Sequence, residues 1–103
     1  MNAFAIETPV PDGHTAFALP PSLDLARAEP LHTALRGLIA RLGPLCIEGA
    51  AVERVSAACV QVLAAAAIAA RNGGRLFELV APSSILSDAV RDLGLQDVFG
   101  LEK

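Results

Sequence analysis

The fold is decided by residues 45–74, which read LCIEGAAVERVSAACVQVLAAAAIAARNGG. The apolar run Leu45-Cys46-Ile47 follows a turn signal and is typical of a buried strand. Ser56 is a favoured helix N-cap residue, and the sequence Asn72-Gly73-Gly74 is typical of a helix end. Between them the apolar positions repeat at helical spacing, at Cys59, Val62, Leu63, Ala66, Ala67 and Ala70. A buried strand followed by a long helix favours an α/β fold.

The residues before this stretch predict two strands and one helix. Residues 4–8 and 14–19 are apolar segments next to prolines, which suit an edge strand and its neighbour. A helix is expected to open at Asp24 or just after it, with Pro30 in its first turn. Its apolar stripe is Leu31, Leu35, Leu38, Ile39 and Leu42, and Gly43-Pro44 is expected to end it.

The residues after residue 74 predict one more strand and one more helix. Residues 75–81 form the strand, and Pro82-Ser83-Ser84 begins a helix that runs to about Leu93. The buried face of that helix is predicted to be Ile85, Leu86, Val90 and Leu93. Residues 95–99 predict a short strand or a final helical turn. The order β-β-α-β-α-β-α favours a small mixed, partly parallel sheet with helices packed on it, in one domain over residues 1–103.

Composition excludes several classes of function. The chain is 53% apolar and 18% charged, has a net charge of −3, and contains no Trp or Tyr. Eight scattered Lys and Arg residues give no basic surface for nucleic acid. The longest apolar run, residues 62–70, is far shorter than the ~20 residues of a membrane span, and no leader pattern is apparent. We therefore expect a cytoplasmic protein with no direct membrane insertion.

No motif for catalysis, a cofactor or a metal is found in the sequence, so we expect a protein that is not an enzyme. Cys46 and Cys59 are interpreted as two buried, reduced thiols. A Cys59–His32 dyad would place the nucleophile on the apolar face of a helix, where thiols are usually inert. His14 and His32 lie too far from the cysteines in sequence to make a recognisable metal-ligand set with them. Glu48 and Glu53 are interpreted as a solvated loop edge.

The ordered set of segments around the long helix resembles the STAS domain family, which is shared by anti-sigma factor antagonists and the tails of sulfate transporters. The resemblance covers roughly residues 15–99. It rests on residues 52–63 (VERVSAACVQVL), the Ala-rich helix after them, residues 72–74, the strand at residues 76–80, Pro82-Ser83, residues 92–95 (DLGL) and residues 23–25 (LDL).

In that family a strand ends in hydrophobic-Asp-Ser-Ser/Thr-Gly-Leu, and regulated members carry a phosphorylatable hydroxyl just after the Asp. The resemblance places Ser56 at the Asp position, Ala57 and Ala58 at the hydroxyl positions, and Cys59 at the Gly position. The usual phosphoacceptor is therefore replaced by Ala, and Ser56 is interpreted as a helix cap rather than as a phosphoacceptor.

The resemblance implies a non-catalytic regulatory adaptor of bacterial signal transduction. It would bind an anti-sigma factor or kinase, or a chemotaxis-type kinase, since the Gln-hydrophobic-Leu run at Gln61 resembles the STAS proteins of that branch. The expected partner-binding residues lie at the strand-to-helix junction: Glu53, Arg54, Ser56, Ala57, Ala58, Cys59 and Gln61. The alternative is an MlaB-like subunit of a lipid-transport ABC complex that binds its ATPase. A homodimer and nucleotide binding are left open.

Overall fold

The computed structural model describes residues 7–9, 15–40 and 45–101. The described strands are β1 (Glu7–Pro9), β2 (Thr15–Ala18), β3 (Ser22–Leu23), β4 (Leu45–Glu48), β5 (Arg54–Val55) and β6 (Phe77–Val80). The α-helices are α1 (Ala28–Ile39), α2 (Ala57–Asn72), α3 (Ser84–Asp92) and α4 (Gln96–Phe99), and a turn of 3-10 helix at Leu25–Arg27 precedes α1.

Four of these strands form one mixed sheet in the order β1-β2-β4-β6. Strand β1 is antiparallel to β2, whereas β2, β4 and β6 run parallel, with Thr15 opposite Leu45 and Leu45 opposite Phe77. Helices α1 and α2 are the crossovers between the parallel strands, as parallel neighbours require. The predicted mixed, partly parallel α/β fold is confirmed.

Strict alternation along the strands buries one face of the sheet. In β4, Leu45 and Ile47 are buried while Glu48 is exposed. In β6, Phe77 and Leu79 are buried while Glu78 and Val80 are exposed. Side chains of a strand point alternately to its two faces, so one face packs under the helices and the other carries the polar positions. Cys46 lies on the second face and is half-buried, so the expectation that it is buried is wrong.

Helix α1 is amphipathic, and it ends earlier than the apolar pattern predicts. Leu31, Leu35 and Leu38 are buried along one stripe. Pro30 lies in the first turn, where it removes no helical hydrogen bond, as expected. The helix ends at Ile39, and the predicted stripe residue Leu42 lies outside the described residues, as does the predicted stop at Gly43-Pro44.

Helix α2 matches its prediction at both ends. Ser56 is the N-cap and Asn72 is the last helical residue, followed by Gly74 at a φ of +76°. Its buried side is wider than the predicted stripe, because Val60 and Ala64 are buried in addition while Val62 is half-buried. The small side chains let the helix lie close to the sheet and to α1.

The C-terminal part differs from the prediction in the buried face of α3. Ser83 caps α3 as expected, but Ile85 and Leu93 are exposed, at 47% and 38%, so their assignment to the buried face is wrong. Leu86 and Val90 form that face. Residues 96–99 form helix α4, which is the helical alternative of the two predicted for residues 95–99, and α4 places Phe99 in the core. Of the strand predicted at residues 4–8, residues 4–6 lie outside the described residues.

Candidate protein-docking site

Gly49 follows β4 directly and begins the loop that leads to the strand-to-helix junction between β5 and α2. Its N–H donates to the Val80 carbonyl (3.1 Å), and its carbonyl accepts from Ser83 N (3.0 Å) and Val52 N (3.3 Å). A Cβ at this position would lie 2.6 Å from Leu86 Cδ2. A side chain at residue 49 would therefore force Leu86 to shift, and the loop that leads to the junction is held against the start of α3.

The junction itself is braced by the two-residue strands β3 and β5, which pair in parallel. The Pro21 carbonyl accepts from Glu53 N (2.7 Å) and Arg54 N (3.0 Å). The Ser56 N–H donates to the Leu23 carbonyl (2.8 Å). The backbone from residue 53 to residue 56 is therefore fixed on one side by the segment that follows β2.

The start of α2 is fixed by Ser56 and Cys59. Ser56 has extended backbone angles, and its Oγ accepts from Cys59 N (3.2 Å), which satisfies one of the free N–H groups of the first turn. The Cys59 thiol is fully buried, and its Sγ donates to the Asp24 carbonyl (3.3 Å). Residue 59 thus ties the first turn of α2 to the chain ahead of α1.

The seven predicted partner-binding residues are brought together by this junction, but they are not equally accessible. Glu53, Arg54, Ala57 and Gln61 are exposed. Ser56 and Ala58 are half-buried, and the Ser56 hydroxyl is engaged in the cap. Cys59 is 0% exposed, so it supports the surface from beneath and offers no atom to a partner. We call the remaining six residues the junction surface: Glu53, Arg54, Ser56, Ala57, Ala58 and Gln61.

The groups considered for chemistry are separated in the structure. Cys59 is directed at the Asp24 carbonyl, whereas His32 is exposed on α1 in a groove that Cys59 does not line. Both cysteines are unbridged. Glu48 and Glu53 are both exposed, as the loop-edge interpretation expects. The described residues hold no cluster of three or more His, Cys, Asp or Glu side chains placed to bind a metal.

The pairing of β3 with β5, which holds the junction in place, was not predicted from the sequence. Strands of two residues are too short to show a period, and the acceptors from Pro21 and Asp24 are carbonyls that any residue type supplies. The doubled proline at residues 20–21 is the one available signal, because proline favours extended backbone and Pro20 disfavours helix in the residue before it.

Among the described helices, none has the length and apolarity to cross a bilayer.

The fold and the site together define a small α/β domain whose strand-to-helix junction is partly exposed and held by backbone hydrogen bonds. A family model described as "Mlab, STAS domain" matches residues 8–102. The chain therefore belongs to the STAS domain family, as the sequence pattern indicated. No curated protein matches the chain. Domains of this family generally act through protein interaction and regulation and not through catalysis.

Proposed function

We propose that this chain is a non-catalytic regulatory adaptor that binds a partner protein through the junction surface. The observation that carries the proposal is the fixed backbone beneath that surface, which is held by the Pro21 and Leu23 carbonyls and by the Ser56 cap. A surface that is already ordered loses little conformational entropy when it binds. Glu53 and Arg54 supply exposed charges, and Ala57 leaves space for close backbone approach.

The partner that we propose is a signalling protein of the anti-sigma factor or kinase class, including chemotaxis-type kinases. Ala57 and Ala58 carry no hydroxyl at the positions where regulated relatives are phosphorylated, so binding would not be switched there. Phosphorylation of Ser56 would compete with its cap hydrogen bond to Cys59 N. We therefore propose that the adaptor can bind its partner through this surface at all times.

The second candidate is a subunit that binds the ATPase of a lipid-transport ABC complex. The observation that favours it is the description of the matching family model, which names Mlab. The same junction surface would serve either partner, so the two candidates differ in the class of protein bound and not in the residues used. Identification of the bound protein therefore separates them.

The test is affinity capture of the tagged full chain from its native host, with the captured proteins identified by mass spectrometry. Glu53→Arg and Ala58→Arg are the test variants. Asp92→Arg and Ala40→Arg are the matched controls, since both positions are exposed and lie outside the junction. Wild type and controls are expected to recover one partner, and the test variants are expected to lose it.

The class of that partner decides between the two candidates. A kinase or anti-sigma factor supports the signalling adaptor, and an ABC-type ATPase supports the transport subunit. Equal recovery of the partner by wild type and both test variants would remove the junction surface from the proposal. Thermal unfolding of each variant checks that a loss of recovery does not come from unfolding.

A further inference from the structure

Helix α2 exposes an apolar side that nothing in the described part of the chain covers. Its 16 residues include only three polar or charged side chains apart from Cys59, namely Gln61, Arg71 and Asn72. Ala65 and Ala69 are exposed, and Ile68 is 48% exposed. A helix that is apolar on all sides is normally buried on all sides. The solvent-facing side of α2 therefore has the composition of an interface.

The part of this side that carries Ala65 and Ala69 forms one wall of a groove of about 200 Å³ whose other wall is α1. His32, Arg36 and Ile39 line it on the α1 side, and Ala65 and Ala69 line it on the α2 side. Beyond His32 the groove widens into a shallow apolar area that includes Leu25, which is 70% exposed. The small α2 side chains leave room for another helix to approach closely.

Two residues of opposite charge lie on either side of the middle of this groove. Glu29 lies at one end, Arg36 lies at the other, and His32 lies between them. Seven residues are close to two helical turns, so Glu29 and Arg36 share one face of α1 about 10 Å apart along its axis. Both are exposed, and neither has an ion-pair partner within the described residues.

We propose that this chain forms a homodimer in which the α1 helices of two copies pack antiparallel across the α1–α2 groove. A twofold axis near residues 32–33 of both copies would place each Glu29 opposite Arg36 of the partner subunit. An interface of this kind uses the same surface on both copies, so it must be self-complementary. Glu29 and Arg36 meet that requirement, because they carry opposite charges and lie at equal distances from the proposed axis. For this reason we propose that a second copy of the chain binds in the groove.

The dimer surface adjoins the junction surface along α2. Val62, Ala65 and Ala69 face the groove. Gln61 precedes Ala65 by four residues and Ala57 precedes Gln61 by four, so these positions continue along the same face of α2 toward its first turn. Neither Ala57 nor Gln61 lines the groove, so the dimer does not depend on the proposed partner.

The first measurement is sedimentation equilibrium of the full chain at low salt, over about 1 µM to 1 mM, which spans the affinities of small interfaces. Wild type is expected to self-associate in this range. Glu29→Arg and Arg36→Glu each replace two attractive contacts with two repulsive ones, and each variant alone is expected to associate about tenfold more weakly or worse. Asp92→Arg is the charge control and is expected to behave as wild type.

The decisive measurement mixes the two single variants. In a heterodimer of Glu29→Arg with Arg36→Glu, both opposed pairs again join an acid to a base. The mixture is therefore expected to associate at least tenfold more tightly than either variant alone, and the double variant E29R/R36E is expected to regain association by itself. Recovery on mixing cannot arise from variants that fail to fold.

A variant in the groove wall tests the apolar part of the interface. Ala65→Arg is expected to abolish association, whereas Ala51→Arg, which is exposed in the loop after β4 and lines no part of the groove, is expected to preserve it. A wild type that stays monomeric throughout the concentration range would overturn the proposal. So would a mixture that associates no better than its components, because the Glu29–Arg36 pairing would then be absent.

Discussion

At the scale of single residues, Gly49 leaves no room for a Cβ beside Leu86. It connects β4 to the loop, accepts the Ser83 N–H, and lies where a Cβ would come within 2.6 Å of Leu86 Cδ2. Leu86 is fully buried, so its side chain has no solvent into which it can move. A packing conflict at this position would displace either the start of α3 or the loop that supports the junction surface.

Gly49→Ala is accordingly expected to lower the free energy of unfolding by about 1–3 kcal/mol, the usual cost of overpacking. Gly37→Ala is the matched control, because Gly37 is exposed within α1 and an added Cβ there meets nothing within 4 Å. That variant is expected to raise stability by about 0.5–1 kcal/mol through helix propensity. Urea unfolding followed by far-UV circular dichroism measures both, and the same sign for both changes would contradict the packing argument.

Some properties of these residues can be predicted from the sequence, and others depend on contacts with distant residues. Ser56 was predicted as a cap because its neighbours along the chain define the helix start, and the cap hydrogen bond to Cys59 N is present. The close contact between residue 49 and Leu86 was not predicted, because the two residues are distant in sequence. The burial of Cys59 was predicted from helical spacing, while the half-burial of Cys46 depends on the sheet face opposite the one that packs under the described helices.

At the scale of elements, Arg75 holds the end of α1 against the entry to β6. Its guanidinium donates through Nη1 to the Ile39 carbonyl and through Nη2 to the Leu38 carbonyl (3.3 Å). The last carbonyls of a helix have no helical partner and carry partial negative charge, so a cation there stabilises the helix end. Two elements that are far apart in sequence are thereby joined.

Arg75→Met is expected to lower the free energy of unfolding by about 1–3 kcal/mol, because it removes charge-assisted hydrogen bonds from a half-buried site. Arg71→Met is the control, since Arg71 is exposed at the end of α2, and its effect is expected to stay within about 0.5 kcal/mol. Chemical denaturation of both variants gives the comparison. Equal effects would mean that the contacts of Arg75 with α1 contribute nothing to stability.

Helices and strands in which apolar residues recur at regular spacing were predicted, and those too short to show such spacing were not. Helix α2 and strands β4 and β6 follow from apolar spacing and from their caps. Strands β3 and β5 have two residues each and are defined only by their mutual pairing. They brace the junction surface, so the sequence located the candidate site but did not disclose what holds it in place. Helix α4 was left open because four residues satisfy either period.

At the scale of the whole molecule, the core is continuous from β2 to α4. Buried apolar side chains come from the sheet, from α1, α2, α3 and from the last helical turn, where Phe99 is 6% exposed. Helix α4 contacts α2, α3 and β6, so the C-terminal turn closes a core whose other walls come from earlier parts of the chain. A domain built in this way is expected to unfold in one cooperative step.

Phe99→Ala should therefore weaken the whole domain and not only its last turn. Loss of a buried Phe costs about 3–5 kcal/mol, a large part of the roughly 5–15 kcal/mol that stabilises a typical domain. Leu76→Ala is the control, since Leu76 is 68% exposed and its loss is expected to cost at most about 0.5 kcal/mol. Hydrogen exchange supplies the second readout: protection should fall across β4 and α2 together with α4. Loss of protection confined to residues 96–101 would show that α4 opens independently, and the core would then have to be stable without its last turn.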